Sequence, residues 1–86
     1  MPYVKPETRP ALDEIVQLMV SKSIQANGDL NYILYKLCLC VVPPSYNNYK
    51  NFCGELRQCA TEIERRILAI YEDEKILENG DVTNEL

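Results

Sequence analysis

From Tyr46 to Glu78 the chain contains no proline and a single glycine, Gly54, while apolar residues return at fixed intervals. Tyr49, Leu56, Ile63, Ile70 and Leu77 recur every seven residues. Cys53, Ala60, Ile67 and Glu74 fall between them, so the steps alternate between four and three, the spacing of a helix packing seam. An unbroken helix over these residues would be a rod of roughly 50 Å at about 1.5 Å per residue, longer than any other helix in the chain could cover. Either Gly54 kinks it or its far end meets another subunit. Cys53 and Ala60 are small enough for close approach, and Glu74 opens the seam, because a dry interface does not tolerate an unpaired carboxylate.

Two shorter helices precede it. Pro10 suits the first turn of a helix, with Asp13 and Glu14 near its positive end. Leu12, Ile15, Val16, Met19 and Val20 follow at three-and-four spacing, and Asn27-Gly28 reads as the stop. Asp29 reads as the cap of the next helix, whose stripe is Leu30, Ile33, Leu34, Leu37, Cys38 and Val41. Pro43-Pro44 end it, since neither ring donates to a continuing ladder. Ser45 then caps the long helix. The expected fold is all-α: three helices at about 10–26, 30–42 and 46–78 in a hairpin or bundle, one domain over 1–86, with 1–9 and 80–86 as extended or flexible ends.

A chain of 86 residues buries a small fraction of its surface as a monomer, so self-association is expected, through Leu56, Ala60, Ile63, Ile67 and Ile70. A monomeric bundle using the same seam internally is the alternative. Nine basic residues against thirteen acidic, net -4, argue against a coat for duplex nucleic acid, which needs concentrated positive charge. No apolar run is long enough to span a bilayer and no secretory leader is evident, which points to the cytoplasm. With no histidine in the chain, Cys38, Cys40, Cys53 and Cys59 lack the company of a common zinc set and read as reduced, buried small hydrophobes. No metal and no cofactor is expected.

Three stretches carry a resemblance: GDLNY at Gly28 to Tyr32, the pair Arg65-Arg66, and YEDEKILENGDV from Tyr71 to Val82. Together they resemble a family of short proteins found in bacteriophage and prophage genomes and in some microbes. The resemblance implies a phage or mobile-element setting, hence a host-cell cytoplasm, and no particular reaction. Two departures stand out: Ile63-Glu64 precedes the arginines where relatives tend to have an aromatic, and Ala69-Ile70 stands where a proline often precedes Tyr-Glu.

Three functions fit these residues. In the first, Arg65, Arg66 and Lys75 grip a small anionic or nucleotide signalling ligand, with Tyr32, Lys36 and Tyr71 completing the site, and the protein sequesters it to counter host defence. The competing reading pairs Arg66 with Glu62 and Lys75 with Glu72 on a solvated face. In the second, the long seam or the segment PPSYNNYKNF docks a protein that the chain inhibits or regulates. The third is a magnesium-dependent all-α nucleotide pyrophosphohydrolase, for which Glu78 and Asp81 supply one carboxylate pair and no facing pair completes the site.

Overall fold

A computed structural model describes residues 3–85. These residues are helical with no strand among them, in the order α1 (Arg9–Ser21), α2 (Gly28–Val41), α3 (Tyr46–Ile63), a π turn (Glu64–Leu68) and α4 (Ala69–Asn79). Short 3-10 turns occupy Pro6–Thr8 and Val82–Glu85 within the expected extended ends. Residues 1, 2 and 86 of those ends lie outside the described residues. The chain divides into two units, Met1–Cys53 and Gly54–Leu86.

In the first unit, α1 stops at Ser21, five residues before the sequence-based boundary. The stop is not Asn27-Gly28 but Ser23, which takes a left-handed φ of 58°. The Ser23 N–H donates to the Val20 carbonyl at 3.0 Å and the Ile24 N–H to the Met19 carbonyl at 3.2 Å. This is the paired-bond cap that closes many helices, here on a serine rather than the usual glycine. Asn27 is the cap of α2: its side-chain oxygen accepts the Asp29 N–H at 2.9 Å. Asp29 is therefore the second helical residue and not the cap itself. Its own carboxylate reaches back to the Gln25 N–H at 3.3 Å, so each side chain satisfies a backbone donor across the turn.

Pro43-Pro44 do end α2, with Val42 extended, and Ser45 caps α3 by accepting the Asn48 N–H at 3.0 Å. Leu30, Ile33, Leu34 and Cys38 of α2 are half-buried, at the three-and-four spacing expected of its inner line. Nothing is covered further than that: among the described residues no side chain is buried, apolar or polar. Cys40, Cys53 and Cys59 are exposed free thiols and Cys38 is half-buried, contrary to the expectation that all four are buried.

In the second unit the long helix is interrupted. Over Glu64–Leu68 the backbone is a π turn, in which the Ala69 N–H bonds back five residues to the Glu64 carbonyl. No proline or glycine marks the place. A π turn holds one residue more than an α turn, so every later residue lags by one position, about 100° around the axis. The line through Leu56, Ala60 and Ile63 thus runs on through Leu68 and Tyr71, while Ile67, Ile70 and Leu77, which the seven-residue spacing places in the same seam, turn away from it. The helix ends at Asn79, as Asn79-Gly80 predicts: Gly80 takes φ 82° and its N–H donates to the Ile76 carbonyl at 2.8 Å.

Candidate functional site

Two of the cationic side chains that the sequence nominates, Arg65 and Lys75, meet carboxylates three residues away along the chain. Arg65 leaves the first residues of the π turn and its guanidinium meets Glu62 at 3.2 Å, three residues earlier. The Glu62 side chain is 14% exposed, so this carboxylate sits against the helix with the arginine over it. Arg66 and Glu62 have further interactions of their own. Lys75 pairs with Glu78 at 2.9 Å, and not with Glu72 as its spacing first implies, while its ammonium lies 5.5 Å from the centre of the Tyr71 ring. A solvent-exposed pair at this spacing, as Lys75 and Glu78 form, is worth a few tenths of a kcal/mol, roughly, and leaves its charges solvated.

Tyr32 and Lys36 stand exposed on α2, in the first unit, whereas Arg65, Arg66, Tyr71 and Lys75 belong to the second. Tyr71 and Lys75 are the members brought together within one unit. Of the two acidic residues in the Glu78–Asp81 pair, Glu78 is taken by Lys75 and Asp81 accepts the Thr83 N–H at 3.0 Å, opening the final 3-10 turn. Among the described residues no three acidic or cysteine side chains converge where a cation would sit.

That contact sets the Asp81 charge. The Thr83 backbone N–H, and after it the Thr83 side chain, hold the Asp81 carboxyl below the ordinary aspartate value of 3.8. Because the folded form is the better acid, its charge supports the turn above the unfolded value and that support is lost as pH falls through the lowered folded one. In a carbon-detected carboxyl titration we expect Asp81 to show a midpoint below 3.8. In the Thr83→Pro variant, which lacks the donor, the midpoint returns toward that value; an unshifted midpoint in the parent protein rejects the cap.

The apolar surface is more prominent than the polar one. Val16, Met19, Val20, Ile24, Gln25, Ala26 and Leu30 line an open cleft of about 320 Å³ in the first unit. The turn at Ser23 builds it by folding Ile24 next to the end of α1. The sequence does contain the signal, an isolated isoleucine in the polar run SKSIQANG, but a serine in the left-handed position conceals it. In the second unit Ile63, Leu68, Tyr71 and Leu77 are all exposed, Leu77 by 86%. Among the described residues no helix is long and apolar enough to cross a membrane.

A family model described as a domain of unknown function, DUF6899, matches residues 1–82, and the chain belongs to that family. No curated protein and no solved structure matches it.

Proposed function

We propose that this member of the DUF6899 family is a non-catalytic protein-interaction module that works as a homo-oligomer, its exposed helix faces being the contact surfaces. The observation that carries the reading is the absence of any buried side chain among the described residues of one chain, in a sequence that is 47% apolar. Ile63, Leu68, Ile70, Tyr71 and Leu77 of the second unit are among the exposed apolar residues, and large exposed apolar surface is uncommon on a soluble monomer.

Capture of a small anionic or nucleotide ligand is the second reading. In its favour, the π turn carries both arginines, and such turns recur at functional sites. Against it, Arg65 and Lys75 are already paired with carboxylates. Native mass spectrometry of the protein, purified from cells that make it, separates the two. A complex of several polypeptides without a small molecule supports the interaction module. A retained phosphate-bearing ligand supports sequestration, and a single ligand-free chain overturns both.

A further inference from the structure

We propose that Asn27 is a site of spontaneous covalent modification: the fold poises its side-chain amide for attack by the Gly28 nitrogen, and the chain deamidates itself there through a cyclic imide. Two Asn-Gly pairs occur in the chain, Asn27-Gly28 and Asn79-Gly80. Glycine has no Cβ to shield its nitrogen, so both pairs are chemically competent. The backbone separates them.

A five-membered imide closes when the nitrogen of the next residue lies level with Cβ about the Cα–C bond, which for an L-residue needs a ψ of roughly -120°. Helical ψ is about -42° and extended ψ about +135°, both far from that value, so regular structure protects asparagine. Asn27 has φ -146° and ψ -143°, close to the closing position. Gly28 is the first residue of α2, where N–H groups have no partner in the helix, and among the described residues its N–H donates to nothing. Both residues are exposed, so water and base reach them. The Asp29 N–H, 2.9 Å from Asn27 Oδ1, donates to the oxygen on which negative charge develops, at the distance of an oxyanion donor. The bond that caps α2 thus also activates the amide. Asn79 is the opposite case. It is the last residue of α4, and the Gly80 N–H donates to the Ile76 carbonyl at 2.8 Å, which holds that peptide in the helical orientation and its nitrogen away from the side chain.

Base takes the Gly28 N–H proton, the nitrogen forms a bond to Asn27 Cγ, and the Cγ–Nδ2 bond breaks, releasing ammonia once that nitrogen takes a proton from water. Water then opens the imide at either carbonyl, leaving aspartate at position 27 or an isoaspartate whose main chain runs through the former side chain. Nothing is oxidised or reduced. Aspartate keeps a capping oxygen, whereas isoaspartate displaces it. Ile24, Gln25 and Ala26 before this point and Leu30 after it line the cleft of the first unit, so the modification alters that cleft.

Peptide mapping with electron-transfer fragmentation, which separates aspartate from isoaspartate, follows the full-length protein during incubation at physiological temperature, folded and in urea. In the folded protein we expect Asn27 to convert about tenfold or more faster than Asn79, and in urea the two rates converge. Equal rates in the folded protein, or faster conversion at Asn79, overturn the proposal; a preference for Asn27 that persists undiminished in urea overturns the fold as its cause. Gly28→Ala, whose added methyl group meets nothing within 4 Å, slows conversion at Asn27 by about tenfold or more and leaves Asn79 unchanged. Conversion at the parent rate in that variant overturns the cyclic route.

Discussion

The melting temperature of this protein rises with its own concentration. Every described side chain is at least partly in water, and on the association reading proposed above, apolar burial, the main favourable term in folding, comes from contacts between chains. Helices of 11 to 18 residues, the lengths of α1, α2, α3 and α4, are marginal in isolation. When folding and association are linked, the partner acts as a ligand of the native state. At about a thousand times the dissociation constant it contributes roughly 4 kcal/mol. For a chain of this size that is a rise of about 15–30 °C over the dissociated protein. Circular dichroism melts across about three decades of concentration measure it. A midpoint that stays fixed on dilution, with helicity intact, rejects association as the source of stability.

The tripeptide Asn-Gly-Asp occurs twice, and replacing its glycine by alanine has opposite effects at the two places. Gly28 is the first residue of α2, has no positive φ, and a methyl group added to it meets nothing within 4 Å. Gly28→Ala reduces the freedom of the unfolded chain at no steric cost and stabilises by about 0.5–1 kcal/mol. Gly80 also has open space around it, but its φ of 82° with ψ of 148° lies in a region that only glycine enters readily. Gly80→Ala costs about 1–3 kcal/mol in backbone strain, or the last turn of α4 rearranges to avoid it. Ser23→Gly relieves the same type of strain at φ 58° and stabilises by up to about 1 kcal/mol. Urea unfolding at one fixed protein concentration reads all three, and an equal effect of the two glycine replacements contradicts the backbone assignments.

These two Asn-Gly-Asp sites show why part of the structure follows from the residues and part does not. At the second site the reading as a helix stop holds: α4 ends at Asn79 and Gly80 adopts the left-handed form. At the first, the same letters begin a helix, because Ser23 has already turned the chain and Asn27 is left as a cap. Serine is disfavoured there by its Cβ, so propensity points to the glycine five residues on. Val20, Met19 and Ile24, whose backbone bonds close that turn, lie around the cleft, and a cap can be satisfied at either place.

The candidate site divides along the same line. Charged neighbours at helical spacing are local, so pairs one turn apart are expected from the sequence, but the partners are not: Glu62 holds Arg65, where the spacing reads as pairing it with Arg66, and Lys75 takes Glu78 where Glu72 was equally near. Asp81 lies beyond the end of α4, where a negative charge does not favour the helix. It belongs instead to the next turn, as the acceptor for Thr83.

Helix type, number and the proline and serine boundaries at Pro43, Pro44 and Ser45 are properties of short stretches, set by ring geometry, missing donors and capping oxygens, and they follow from the order of residues. The direction in which the long apolar stripe points is not such a property. One extra residue in the turn at Glu64–Leu68 leaves composition and spacing unchanged, yet it rotates Ile67, Ile70 and Leu77 off the line of Leu56, Ala60 and Ile63 and brings Leu68 and Tyr71 onto it. A periodic pattern counts residues, whereas a packing face is set by accumulated angle, and the two part wherever the backbone departs from 3.6 residues per turn.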